Sequence, residues 1–104
     1  LPPIADVAAS VQEAIVDVLV DKTFNAVAET GVKVVAAGGG VLANRRLRVA
    51  LEERAGDAGV ELCLPSPALC TDNGAMIGAA ADFRLDNGAT ASWYDDVDPG
   101  LRLG

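Results

Sequence analysis

The 104 residues set a ceiling of one small domain. A net charge of −7 argues against a free-standing grip on a phosphate backbone, which usually takes a basic surplus. A hydrophobic fraction of 51% is more than so short a chain is expected to bury by itself, so one face is expected to be covered by something outside the sequence.

Pro2 and Pro3 mark a helix start, since proline is tolerated in a first turn. Val11, Ile15, Val18 and Leu19 follow helical spacing and predict the inward face, with Gln12, Glu13 and Asp17 opposite. The pattern runs to Glu29, with a bend expected at residues 22–25 and Gly31 closing the helix. Residues 32–37 are short, apolar and β-branched and read as a buried strand. Residues 44–55 read as a helix with Leu47, Ala50, Leu51 and Ala58 facing inward. Arg48 and Glu52 stand four apart there, an expected pair worth a few tenths of a kcal/mol. Residues 56–59 read as a loop. Residues 60–64 read as a second buried strand, with Cys63 in the core and Pro65 and Pro67 as the stop. From Asp72 a third helix is predicted to Leu85, with Met76, Ala79, Ala80 and Phe83 on one face and Asn87-Gly88 at its end.

The order α-β-α-β-α fills residues 1–88 and leaves 89–104 as an irregular tail. Two strands joined through a helix predict an α/β fold with parallel strands and a right-handed crossover. Parallel sheets need both faces covered and more strands than two. The chain therefore reads as part of a larger α/β domain, expected to expose apolar surface or self-associate when made alone. A start at Leu-Pro-Pro, with no initiator methionine and no signal-like segment, gives the same expectation of a longer protein.

The chain has no histidine. That removes the commonest general base and metal ligand, so catalysis here would borrow those groups from another segment. Cys63 and Cys70 are not spaced as C-x-x-C, and the expectation is two reduced thiols in a cytosolic protein. Apolar stretches are broken by Asp17, Asp21 and Lys33, short of the ~20 residues of a membrane span, so no membrane partner is expected.

Two places lie at the carboxyl end of a predicted strand and the start of the next helix, where open α/β sheets bind ligands. The first is Gly38-Gly39-Gly40 with Asn44. Glycines let a backbone take positive φ and let a ligand approach with no Cβ in the way. They also suit an ordinary turn, with Asn44 either an N-cap or an amide aimed at a ligand. Arg45, Arg46 and Arg48 follow at once. Cations at a helix start oppose the dipole, and these either extend into solvent or meet an anionic partner such as RNA. The second place is Cys70-Thr71-Asp72-Asn73-Gly74. Thr71 or Asp72 is a candidate N-cap, and the Asp72 carboxylate is a candidate site group beside the glycine junction.

Taken together, "AGGGVLANRRLRVALEE", "LPSPALCTDNGAMIGAAA" and the first helix, "DVAASVQEAIVDVLVDKT", resemble the C-terminal part of the tRNA N6-adenosine threonylcarbamoyltransferases, formerly described as sialoglycoprotein endopeptidases. The resemblance covers residues 4–81. It implies the actin-like, Hsp70-like, sugar-kinase-like fold: two lobes, each on an RNase H-like sheet, with this chain in the C-terminal lobe. It implies transfer of a threonylcarbamoyl group from threonylcarbamoyl-adenylate to N6 of adenosine 37 of tRNA, with accessory proteins of that pathway. It also implies one divalent metal, iron or zinc, held by two histidines of the N-terminal lobe and one aspartate of the C-terminal lobe. By the match that aspartate is Asp72, the substrate-binding asparagine is Asn44, and Gly39 and Gly40 clear the approach of the adenylate. Gly38 stands where the family usually has alanine, and Leu42 where a small residue is usual. With one metal ligand of three, the chain alone is expected to be inactive.

Two other readings compete. Carbamoyltransferases of the hydrogenase-maturation or nodulation type share the fold but usually carry Asn-Asp-Gly-Gly where this chain has Thr-Asp-Asn-Gly. A non-catalytic scaffold paralogue would lack the His-x-x-x-His pair in its N-terminal region. The peptidase description has no support, since there is no His-Glu-x-x-His and no nucleophile–base pair.

Overall fold

The computed structural model describes residues 1–102; Leu103 and Gly104, the end of the predicted tail, lie outside the described residues. In chain order the elements are α1 (Ile4–Thr30), β1 (Val34–Ala36), α2 (Arg45–Ala58), β2 (Glu61–Cys63) and α3 (Gly74–Asp86), with 3₁₀ turns at Gly40–Ala43 and Pro67–Leu69. The architecture is α/β, with three helices and a small parallel sheet in the predicted order. Leu1–Asp72 form one unit and the residues from Asn73 onward a second.

In α1 the carbonyl of Pro3 accepts from the N–H groups of Asp6 and Val7, at 3.0 and 3.2 Å. Asp6 in the first turn complements the helix dipole. At the other end Gly31 takes φ +70° and donates to Val27 O at 2.8 Å, a left-handed closure that favours glycine. Between these caps the helix runs unbroken for 27 residues, and residues 22–25 do not interrupt it.

The inward face of α1 also departs from expectation. Val16, Val20 and Phe24 are the buried side chains, with Val27 packed beside them. Val11, Ile15, Val18 and Leu19 are exposed. Apolar residues line both sides of this helix, and periodicity finds a stripe without saying what covers it.

β1 and β2 pair in parallel, Val34 opposite Glu61, Val35 opposite Leu62 and Ala36 opposite Cys63. The ladder is extended by Glu61 N–H to Lys33 O at 2.9 Å and Ala37 N–H to Cys63 O at 3.1 Å. Val60 is buried, and Leu62 and Leu64 pack against the core that Leu47, Leu51 and Ala55 of α2 complete. The alternation of a strand puts Glu61 and Cys63 on the opposite, exposed face. Cys63 is therefore not a core residue. Ala58 is exposed and Ala55 takes the inward place expected for it. α2 continues through Gly56 and ends at Gly59, whose φ of +63° closes it, so residues 56–58 are helix rather than loop.

In the second unit, Asn73 caps α3: its Oδ1 accepts from Met76 N–H at 3.0 Å. Neither Thr71 nor Asp72 is the cap residue. Met76, Ile77, Phe83 and Leu85 are exposed. Gly88, φ +77°, follows the helix and donates to Leu85 O at 2.9 Å. Residues 89–102 hold turns but no helix or strand. Among the described residues no helix is long and apolar enough to cross a membrane.

Candidate functional site

The parallel pairing carries the chain out of β1 and β2 at the same end of the sheet, and the two loops that follow meet. Leaving β1, Gly39 takes φ +98° and ψ 169°, a region open essentially to glycine alone. Gly38 and Gly40 have no such need, since neither has positive φ. A Cβ built on any of the three would meet nothing within 4 Å. One glycine is thus fixed by the backbone, and the other two leave open space.

The 3₁₀ turn Gly40–Ala43 buries Leu42 and delivers Asn44 to the start of α2. Asn44 Oδ1 accepts from Leu47 N–H at 3.0 Å, and its Nδ2 donates to Gln12 Oε1 on α1 at 3.0 Å. Asn44 is therefore an N-cap and also a bridge between helices. It borders an apolar groove of about 440 Å³ lined by Val11, Gln12, Ile15, Leu19 and Val41 among others.

Leaving β2, the chain passes Pro65 and the turn Pro67–Leu69 to Cys70, which is 3% exposed. Cys70 shares the core cluster with Leu42, which places the two loops side by side. The Cys70 thiol donates to Ser66 O at 3.4 Å. Asp72 lies two residues on. Its carboxylate is exposed and makes no hydrogen bond or ion pair among the described residues. Among the described residues no three His, Cys, Asp or Glu side chains converge there as a metal cage, so Asp72 stands as a single donor among them.

The arginines divide into three cases. Arg45 is exposed. Arg46 grips Glu13 of α1 in a two-pronged ion pair, its Nε donating to Oε2 at 2.9 Å and its Nη2 to Oε1. Arg48 does not pair with Glu52. It donates to Leu42 O at 3.3 Å, to Pro65 O at 2.9 Å and to Cys70 Sγ at 3.7 Å. Sequence reasoning missed this role. The available signal was position: Arg48 flanks the Leu47–Leu51 stripe, where a long stem can lie along the apolar face and carry its head to its edge.

Residues 1–79, which contain both loops, match the family described as tRNA N6-adenosine threonylcarbamoyltransferase. The chain belongs to this family. Curated relatives bearing that name include proteins of Clostridium beijerinckii, 46% identical over 100 residues, and Desulfitobacterium hafniense, 49% identical over 100 residues. Each alignment covers 96% of this chain. A relative from Verminephrobacter eiseniae is 50% identical over 91 residues, 88% of the chain. The chain spans 30%, 29% and 26% of the three relatives' lengths. The match thus concerns under a third of each relative's sequence, and the matched residues of this chain include the glycine junction and Asp72.

Within this member of the threonylcarbamoyltransferase family, the Arg46–Glu13 pair has an electrostatic signature. Hydrogen bonding from Arg46 holds the Glu13 carboxyl below the usual carboxylate range, and Glu13 in turn raises Arg46. A lowered folded-state value gives stability that is present above the unfolded glutamate pKa. It is lost as pH falls through the folded value. The pair is exposed, at 37% and 43%, so its contribution is small. Arg46→Ala should return the Glu13 carboxyl to the ordinary range in an NMR titration and leave the melting temperature nearly unchanged. An unmoved Glu13 titration would show that the pair does not persist in solution.

Proposed function

We propose that the full-length protein transfers a threonylcarbamoyl group from threonylcarbamoyl-adenylate to N6 of adenosine 37 of tRNA. This chain forms part of the C-terminal lobe of an actin-like, Hsp70-like fold in that reading. The supporting observation is one arrangement: the two motifs that carry the resemblance to the family lie within the matched residues, on adjoining loops at the carboxyl ends of two parallel strands. Gly39 and Gly40 leave space for the adenylate, and Asn44 offers an amide at the start of α2. Asp72 supplies one carboxylate to an iron or zinc ion, with two histidines coming from the N-terminal lobe. A divalent metal bound there would act as a Lewis acid toward the transferred carbonyl. Arg45 is the arginine of the cluster with the most freedom to meet tRNA, because Arg46 and Arg48 are engaged. The N-terminal lobe and the accessory proteins of the pathway complete a cytoplasmic enzyme, and the chain alone is inactive.

The glycines separate a substrate role from a folding role. Gly39→Ala forces a Cβ into a glycine-only region and should cost about 1–3 kcal/mol of stability. Gly40→Ala meets no atom within 4 Å and should leave stability unchanged. Under the proposed function it places a methyl group where the adenylate approaches, so KM for threonylcarbamoyl-adenylate should rise while the melting temperature holds. Unchanged KM in Gly40→Ala, measured on the full-length protein with tRNA saturating, would take the adenylate away from this junction.

A further inference from the structure

We propose that Arg48 is a positioning residue that fixes the spacing between the glycine junction and the loop carrying Asp72. This rests on the proposed function, which makes those two loops the halves of one site. The three partners of Arg48 lie on both sides of the gap. Leu42 O belongs to the turn that follows the glycines, two residues before Asn44. Pro65 O and Cys70 Sγ belong to the loop after β2, and Cys70 stands two residues before Asp72.

The backbone does little to set this spacing. Each strand has three residues, and their ladder closes with Ala37 N–H to Cys63 O at 3.1 Å. Beyond it, the N–H groups of Leu42, Asn44, Leu69 and Cys70 bond to Gly39, Val41, Ser66 and Pro67, each within its own loop. The Arg48 guanidinium is a polar group that reaches across. Its planar fork donates in two directions at once, and its stem rises from α2, whose first turn is capped by Asn44. The Asn44 cap, the helix and the second loop therefore move as one body. A lysine at this place reaches one carbonyl at a time and lacks the fork.

The test uses the full-length protein with Arg48→Ala and Arg48→Lys, with kcat expressed per folded molecule. Both variants should lose about a hundredfold in kcat, the scale of a misplacement of about 1 Å. Millimolar guanidinium ion should restore part of the activity of Arg48→Ala and none of Arg48→Lys. Arg48→Lys keeps charge and stem and serves if Arg48→Ala fails to fold. Wild-type kcat in either variant, with only the melting temperature lowered, would reduce Arg48 to a stabilising residue and overturn the proposal. Absence of transfer by the wild-type protein would refute the reaction instead. Amide exchange then decides the geometry: exchange at Leu42 and Cys70 should quicken together in Arg48→Lys while Val20 of α1 is unchanged. Unaltered exchange at those two amides overturns the proposal.

Discussion

Asp72→Asn in the full-length protein should, under the proposed function, lower bound metal and threonylcarbamoyl transfer by more than about a hundredfold. Loss of a residue that merely orients a metal ligand already costs 10–100-fold, and a direct ligand should cost more. A neutral amide replaces a carboxylate poorly at a hard or borderline cation. Stability without metal should change by less than about 0.5 kcal/mol, as for other surface positions free of special contacts. The structure widens the choice of variant. Asn73, not Asp72, caps α3 through the bond to Met76 N–H, so Asp72→Ala removes the carboxylate and leaves the cap in place. Both variants should behave alike. Full metal occupancy and normal transfer in purified Asp72→Asn would remove Asp72 from the site.

The isolated 104-residue chain should associate with itself and bind hydrophobic dyes. Ile4, Val7, Val11, Ile15 and Val18 run along one exposed side of α1, a longer apolar row than a small free-standing domain normally shows to water. Val34 on the sheet is exposed as well, and in the second unit Ile77 and Phe83 of α3 are exposed. Val11→Lys should weaken association by at least about tenfold, because full burial of one valine is worth about 1.5–3 kcal/mol. The variant should still fold, since Val11 is 55% exposed. A monomer by sedimentation, with cooperative unfolding and no dye binding, would contradict this.

The order of elements was legible because each has local punctuation: the prolines before α1, Gly31 and Gly59 at helix ends, Pro65 after β2. What faces what was less legible. α1 has two apolar stripes, and only tertiary packing selects Val16, Val20 and Phe24 over Val11, Ile15 and Val18 as the core of this chain. Cys63 failed for a related reason. The strand was read as wholly buried, whereas Glu61 marks an outward face, and the alternation that turns Val60, Leu62 and Leu64 inward turns Cys63 out with Glu61. Of the candidate site, the two loops were visible as motifs, but the Asn44–Gln12 bond and the reach of Arg48 join residues 32 and 17 apart in sequence. Such long-range polar ties leave no periodic trace.

Asn44 carries a consequence for any ligand that arrives at the start of α2. Its oxygen is turned toward Leu47 N–H and its nitrogen toward Gln12, so the amide has one orientation and no choice of flip. An asparagine amide has two N–H donors and two acceptor lone pairs. One of each is engaged in these two bonds, and the remaining pair point in directions set by the fold. Ordering a side chain at an interface costs about 0.5–1.5 kcal/mol when it happens on binding. At Asn44 that loss of freedom has already occurred on folding, so a ligand meets a fixed stencil rather than a hinge and is selected by fit.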